Sequence, residues 1–99
     1  MTHRRFTPEQ VSVIVCTRNR PDLLERCLSR LAELAPAPRE IVVVDQSDGS
    51  GSPEVLMRFQ SRMPHLRGVA TGTRGLSRAR NLAIRESCGE ILAFTDDDC

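Results

Sequence analysis

The fold is decided by the stretch Val11-Ser12-Val13-Ile14-Val15-Cys16, in which β-branched and other apolar residues follow one another almost without interruption. A run of this length and composition is typical of a strand that is buried on both faces, as in a parallel sheet. Ile41-Val42-Val43-Val44 is a second run of this kind, and Glu90-Ile91-Leu92-Ala93-Phe94-Thr95 is another. A weaker apolar run covers residues 65–71. The sequence therefore predicts four strands.

Helical patterns separate these strands. Pro21 suits the first position of a helix, and the pattern that follows it stops before Pro36. The inward positions of this first helix are predicted to be Leu24, Cys27, Leu28, Leu31 and Leu34. A second helix is predicted to begin at Ser52 and Pro53. Its inward positions are Val55, Leu56, Phe59 and Met63.

The third predicted helix follows the turn Gly72-Thr73-Arg74-Gly75. Ser77 is expected to cap its start, the helix is expected to run to Cys88, and Gly89 is expected to occupy the position just beyond its end. The inward candidates on this helix are Leu76, Ala79, Ala83 and Ile84.

Strands and helices therefore alternate along the chain. This order predicts right-handed βαβ units and a three-layer α/β/α domain around a parallel sheet. We expect residues 1–10 to form a polar arm with little fixed structure and residues 11–99 to form the domain. In such sheets, ligands bind outside the carboxyl ends of the strands. Those ends carry Thr17 and Arg18, Asp45, and Asp96 to Asp98.

The composition excludes several classes of protein. The 99 residues carry a formal net charge of +1, and the aromatic residues are three phenylalanines, so neither a global positive field nor a stacking surface favours nucleic acid. The apolar runs are too short to span a membrane or to form a signal core, which favours a cytoplasmic protein. The four cysteines form no C-x-x-C pair and are expected to be reduced thiols.

Three consecutive carboxylates, Asp96-Asp97-Asp98, follow the last predicted strand directly. At a separation of roughly 6 Å and an effective dielectric near 20, each pair costs about 2 to 3 kcal/mol. A divalent cation such as Mg²⁺ or Mn²⁺ would turn this repulsion into affinity, because such ions prefer oxygen ligands. The alternative is an acidic tail that lies in water.

The sequence lacks the glycine-rich motifs whose backbone N–H groups bind phosphate. No G-x-G-x-x-G follows the first strand, and no P-loop motif occurs. A bound phosphate would therefore be met by metal and by arginines. Arg74, Arg78 and Arg80 are expected to cluster near the start of the third helix, where the helix dipole also favours anions. The alternative for these arginines is a solvated helix face.

Four motifs together resemble a known family. They are Val11-Ser12-Val13-Ile14-Val15-Cys16-Thr17-Arg18-Asn19-Arg20, Glu40-Ile41-Val42-Val43-Val44-Asp45-Gln46-Ser47-Asp48-Gly49-Ser50, Gly75-Leu76-Ser77-Arg78-Ala79-Arg80-Asn81 and Phe94-Thr95-Asp96-Asp97-Asp98. In this order and spacing they are similar to the amino-terminal half of a family 2 glycosyltransferase of the GT-A fold, a Rossmann-like parallel sheet. The match covers nearly all of the chain after the arm.

The resemblance implies a set of site residues. Thr17, with Arg18 beside it, and Asp45 would face the base and ribose of a nucleoside-diphosphate sugar, most simply a UDP-sugar. Arg80 would lie near base and phosphate. Asp96 and Asp98 match the D-x-D pair, the first toward the ribose and both toward Mg²⁺ or Mn²⁺, and Asp97 would assist nucleotide-sugar binding. The acceptor is unknown, and the resemblance assigns no general base to any residue of this sequence.

Members of this family continue beyond the D-x-D motif. We therefore expect the fold to be truncated after its fourth strand, with sheet order 3-2-1-4, an open fourth-strand edge, and no sugar transfer by these 99 residues alone. Two alternatives are a non-catalytic nucleotide-binding or interaction module that docks a partner chain or a second copy through this edge, and a metal-dependent phosphatase or receiver domain. The latter chemistries favour acidic residues near the first strand, where this chain has Thr17-Arg18-Asn19.

Overall fold

The computed structural model describes residues 7–49 and 51–96, with the backbone alone at Asp96. It contains a 3₁₀ turn, four strands and three helices. The turn is Pro8–Gln10; the strands are β1 (Val11–Thr17), β2 (Glu40–Asp45), β3 (Leu66–Ala70) and β4 (Ile91–Asp96); the helices are α1 (Pro21–Leu31), α2 (Ser52–Gln60) and α3 (Leu76–Glu86). The predicted alternation of strands and helices is confirmed.

The four strands form one parallel sheet in the order β3-β2-β1-β4, as predicted. The register pairs Thr17 with Asp45 and Cys16 with Asp96, so the ends of β1, β2 and β4 lie at one edge of the sheet. We call it the carboxyl edge. The strands begin at the opposite, amino edge, where Ser12 pairs with Glu40.

Helices cover both faces of the sheet. The side chains of the central strands alternate between two separate cores, which explains their nearly unbroken apolar sequences. The first core packs α1 and α2 against Val13, Val15, Ile41 and Val43. The second packs Ala79 and Ala83 of α3 against Ile14, Val42 and Val44. The second core is smaller because α3 presents only alanines to its centre.

The predicted start and end of α3 are wrong. Gly75, not Ser77, caps the helix: its φ of +94° suits glycine, and its carbonyl accepts the Ala79 N–H at 3.2 Å. The helix ends at Glu86, because Ser87 has extended backbone and its hydroxyl bonds the Ala83 carbonyl at 2.6 Å. Gly89 therefore does not cap the helix.

Three predicted inward positions are also wrong. Leu34 lies beyond the end of α1, where two short turns follow Leu31, and is exposed. Leu76 and Ile84 of α3 are 47% and 52% exposed, because the helix contacts the sheet through a narrow stripe of alanines.

Phe94 of β4 is 41% exposed. The poor cover predicted for the β4 side of the sheet is confirmed in the part of the chain that the structure describes.

Part of the predicted polar arm is ordered. Residues 1–6 lie outside the described part of the chain, but Pro8–Gln10 form a 3₁₀ turn in which Thr7 and Gln10 cap each other. The Arg39 N–H donates to the Pro8 carbonyl at 3.0 Å, and the Gln10 amide donates to Glu90 at 3.2 Å. These bonds fix the entry to β1.

Candidate functional site

Thr17 and Asp45, both predicted site residues, lie side by side at the carboxyl edge. They are paired in the register of β1 and β2, and their exposed fractions are only 3% and 5%. The Gln46 N–H donates to the Thr17 carbonyl at 2.9 Å and extends the pairing by one bond. A polar pair at the ends of two adjacent parallel strands is the usual position for a ligand in this architecture.

A chain of hydrogen bonds joins the loops that follow β1 and β2. Asp45 Oδ1 accepts the Ser47 N–H at 2.9 Å, and Ser47 Oγ accepts the Asn19 N–H at 2.7 Å. Asn19 Oδ1 in turn accepts the Asp48 N–H at 3.0 Å. Asn19 has a φ of +55°, a conformation that asparagine tolerates better than most residues. These bonds fix the Asp45 carboxylate before any ligand arrives.

Asp48, in the loop that follows β2, is the centre of a small charge network. Arg18 Nη2 lies 3.1 Å from its carboxylate and Arg74 Nη2 lies 3.4 Å away. The hydrogen bond from Arg18, followed by the charge of Arg74, lowers the pKa of Asp48 below its ordinary value. All three side chains are exposed, so water screens these pairs.

Gln46 connects the end of β2 to the start of α3. Its side chain is buried, and its Nε2 donates to the Gly75 carbonyl at 3.1 Å. Gly75 is the residue at which the chain turns into α3. The position of the first turn of α3 is therefore tied to the carboxyl edge through one side chain.

Arg80 lies on the β4 side of α3. Its guanidinium stands 5.7 Å from the centre of the Phe94 ring, in a cation–π contact. It lines a cleft of about 270 Å³, which we call the β4 cleft. The other described lining residues are Cys16, Leu76, Phe94 and Thr95.

The arginines expected to cluster near α3 instead point to three places. Arg74 pairs with Asp48, Arg80 covers Phe94, and Arg78 lines a different cleft with Thr71 and Thr73. The three residues lie near the start of α3 as expected, but their side chains do not converge, because successive helix positions rotate by 100° and Arg74 lies before the helix.

The predicted metal ligands fall at the limit of the described chain. The backbone of Asp96 pairs with Cys16 at the carboxyl edge, and Asp97 and Asp98 lie outside the described residues. Within residues 7–49 and 51–95, no three acidic, histidine or cysteine side chains group closely enough to hold a metal. β4 runs parallel to β1 and ends with the Asp96 backbone at the edge where Thr17 and Asp45 lie, and carboxylate oxygens at that edge would suit Mg²⁺ or Mn²⁺.

No role was predicted for Gln46 or Asp48, although their side chains tie together the loops at the carboxyl edge. Both lie in the quoted motif Asp45-Gln46-Ser47-Asp48, and only Asp45 was assigned a role. The sequence did contain a signal for Asp48. It is a second carboxylate in the loop after a predicted strand, and two other predicted loops contain arginine. The bond from Gln46 to Gly75 spans 29 residues and has no local signature.

A second polar cluster lies at the amino edge, away from these residues. Glu40 is 4% exposed, and its carboxylate accepts the Ser12 hydroxyl at 2.7 Å, the Cys88 N–H and the Cys88 thiol. Arg67 lies 3.6 Å away. Burial raises the pKa of Glu40, but the three hydrogen bonds and Arg67 outweigh it and lower the pKa below its ordinary value. The cluster joins β1, β2 and the segment before β4.

Comparisons with known proteins show what this chain is similar to. The sequence model of the family described as Glycosyl transferase family 2 matches residues 12–99. Glycosyltransferase AglE of Haloferax volcanii is 33% identical over 92 residues, which are 90% of this chain and 30% of that protein.

Two solved structures resemble this fold closely. Mannosyltransferase PcManGT from Pyrobaculum calidifontis, in complex with GDP-Man and Mn²⁺, has a TM-score of 0.80 and 37% identity over 90% of this chain and 27% of its own. S. aureus TarS, in complex with UDP-GlcNAc, has a TM-score of 0.79 and 28% identity over 90% of this chain and 26% of its own. This chain thus spans less than a third of each relative. Among the described helices, none has the length and apolar character that crossing a bilayer requires.

Proposed function

This chain belongs to glycosyl transferase family 2, and we propose that it binds the nucleoside-diphosphate sugar donor of a glycosyltransferase at the carboxyl edge of its sheet. The observation that carries the proposal is the register of the sheet. It places Thr17 beside Asp45 and directs β4 toward the same edge, so that residues from three motifs distant in sequence converge.

Each site residue has a distinct role in this proposal. Asp45 and Thr17 bind the base and ribose, since both are buried, polar and held in place before the ligand binds. Arg18 lies at the rim of this pair and meets negative charge on the donor. Arg80 lies one strand further along and meets the base and the phosphates, and Asp97 assists Asp96 at the ribose or Asp98 at the metal.

Asp96 and Asp98 are the proposed ligands of Mg²⁺ or Mn²⁺. When bound, the ion supplies electrostatic stabilisation of the charge that develops on the departing diphosphate. Arg80 and Arg18 add positive charge from the protein itself. Of the two ions, the solved mannosyltransferase contains Mn²⁺. A UDP-sugar is the expected donor, and GDP-mannose is the first alternative because of that same relative.

Glycosyl transfer requires an acceptor site and a general base, and the proposal assigns neither to this chain. Leu76 and Phe94 are exposed apolar side chains that line the β4 cleft, and an exposed apolar surface of this kind is typical of one that further polypeptide covers. We propose that the 99 residues alone bind donor without transferring sugar. The predicted cytoplasmic location is part of the same proposal.

The same apolar surface favours a second candidate, an interaction module that docks a partner chain at β4 and performs no chemistry. The two candidates differ in a measurable way. A donor-binding domain binds nucleotide with metal dependence before any partner is added, whereas a docking module binds its partner whether or not nucleotide is present.

Calorimetric titration of the purified chain with UDP and with GDP, each with and without Mn²⁺, tests the proposal. We expect Mn²⁺-dependent binding of one nucleotide, lost in Asp98→Ala and weakened about tenfold in Asp45→Asn. The latter variant keeps an oxygen for the Ser47 N–H and so should fold. Asp22→Asn, an exposed change on α1, is the control and should bind like the original chain. A folded chain that binds neither nucleotide would contradict the proposal.

A further inference from the structure

Positive charge is concentrated in one part of this protein. Residues 66–86, which run from β3 through α3, contain five arginines and one glutamate, a formal charge of +4, whereas the whole chain carries +1. The arginines are Arg67, Arg74, Arg78, Arg80 and Arg85. The rest of the molecule is therefore net acidic, and a local field of this size attracts anions to one side of it.

Three of these arginines already have partners. Arg67 donates to the Glu86 carbonyl at 2.9 Å and lies near Glu40, Arg74 pairs with Asp48, and Arg80 covers Phe94. Arg78 and Arg85 differ from them. Within the described part of the chain, neither has an ion pair, a side-chain hydrogen bond or an aromatic contact, and both are exposed on α3.

Arg78 and Arg85 line the same cleft, which has a volume of about 290 Å³. It lies between α3 and the loop after β3, and we call it the β3 cleft. Its other described lining residues are Thr71, Thr73, Asn81 and Leu82. Leu82 packs against the second core and forms an apolar floor.

The chemistry of the β3 cleft favours an anion. Its walls offer two guanidinium groups, the amide of Asn81 and the hydroxyls of Thr71 and Thr73, which lie 3.0 Å from each other. None of its described lining residues carries a carboxylate. Arg78 and Arg85 are two helical turns apart, about 10 Å along the axis, and Asn81 lies on the same side of α3 between them. Each guanidinium can donate two parallel hydrogen bonds to phosphate oxygens.

We propose that the β3 cleft binds the phosphate groups of a second ligand, separate from the nucleotide at the carboxyl edge. The described residues that line it are all different from those of the β4 cleft, and α3 stands between the two. The phosphate belongs either to a small soluble molecule or to an anionic lipid headgroup. This inference does not depend on the proposed donor site.

The test is a titration of the full chain with pyrophosphate in metal-free buffer, followed by amide chemical shifts. We expect saturable binding that shifts signals of residues 71–73 and 78–85. Arg78→Gln combined with Arg85→Gln should weaken it at least tenfold. The control, Arg26→Gln combined with Arg62→Gln, removes the same charge from the α1 and α2 side and should change affinity less than twofold. If the double variant does not fold, the single variant Arg85→Gln replaces it, and we expect its affinity for pyrophosphate to fall roughly threefold.

A parallel arm measures co-sedimentation with phosphatidylglycerol vesicles, with phosphatidylcholine vesicles as the blank. Dependence on Arg78 and Arg85 in the vesicle arm assigns the site to lipid headgroups; dependence in the pyrophosphate arm alone assigns it to a soluble phosphate. The proposal is overturned if neither probe binds, if both double variants weaken binding equally, or if the Arg78 and Arg85 changes abolish Mn²⁺-dependent nucleotide binding as well.

Discussion

Thr17 and Asp45 are register partners at the ends of β1 and β2, and both are almost completely buried although one is polar and the other charged. Burial of a carboxylate is costly unless hydrogen bonds compensate for the lost water. The Ser47 N–H supplies one such bond to Asp45 at 2.9 Å. A carboxylate held in this way has little conformational freedom left to lose when a ligand binds, which favours affinity.

Gly89→Ala should destabilise the protein strongly. A methyl group at this position would lie 2.7 Å from the Ser12 backbone nitrogen and 3.0 Å from the Gln10 carbonyl, so the backbone of β1 must shift. We expect a loss of about 2 to 3 kcal/mol in the free energy of unfolding, measured by urea denaturation. Gly72→Ala is the matched control, since the added carbon meets nothing within 4 Å. It should be neutral or stabilise by up to about 1 kcal/mol. Equal effects of the two changes would contradict the packing described here.

Glu40→Gln should change how stability depends on pH. The pKa of Glu40 is lower in the folded protein than its ordinary value of 4.5, so its carboxylate stabilises the fold above that pH, and the contribution is lost as the pH falls below it. The variant should lose about 1 to 3 kcal/mol of unfolding free energy at pH 7.

Between pH 5 and pH 3 the stability of the Glu40→Gln variant should also fall less steeply than that of the original chain. Some slope should remain, because the pKa of Asp48 is lowered too. Glu33→Gln, at an exposed position, is the control and should keep the original pH profile. If the stability of Glu40→Gln fell as steeply between pH 5 and pH 3 as that of the original chain, the Glu40 carboxylate would contribute nothing to the pH dependence of stability.

Gln46→Ala should loosen the start of α3 without unfolding the protein. It removes the bond to the Gly75 carbonyl, with an expected loss of about 1 kcal/mol. Hydrogen exchange should become faster at the amides of residues 79–82, whose hydrogen bonds form the first turn of α3. Gln60→Ala is the control, because Gln60 is exposed and reaches the Leu66 carbonyl only at 3.5 Å. Unchanged exchange in α3 after Gln46→Ala would contradict the positioning role.

Asp48→Asn should tighten nucleotide binding at low salt. Asp48 neutralises Arg18 and Arg74 in the structure, and its removal leaves both guanidinium groups available to the diphosphate. We expect a gain of roughly threefold in affinity that disappears near 0.5 M salt, where screening lengths fall to about 4 Å. Asp22→Asn should show no gain. A loss of affinity in Asp48→Asn would mean that Asp48 itself contacts the ligand.

The sequence predicts the sheet well because its signal is local. The β-branched runs around Val13 and Val43 identify strands buried on both faces, and the motif resemblance predicts their order. The ends of α3 are less predictable. Gly75 and Ser77 are both acceptable caps in the sequence, and the bond from Gln46 to the Gly75 carbonyl, formed across 29 residues, supports the first in a way that no local pattern reveals.

The candidate site is predicted only in part for the same reason. Thr17 and Asp45 follow their strands directly, so their meeting is a consequence of the parallel register. The pairing of Asp48 with Arg18 and Arg74 depends on the shapes of three loops. The Glu40 cluster joins residues 28 and 48 positions apart, and no periodicity in the sequence connects them.

The most direct test of the central claim is a ¹H–¹⁵N spectrum of the chain with nucleotide and Mn²⁺, whose unpaired electrons broaden nearby amide signals. We predict selective loss of signals from residues 17–19, 45–48 and 95–98, at the carboxyl edge. Signals from residues 11–12, 40–41 and 88–90 at the amino edge should remain sharp, and Asp98→Ala should restore the lost ones. Broadening centred on the amino edge, or equal broadening throughout the chain, would contradict a metal–nucleotide site at the carboxyl ends of the strands.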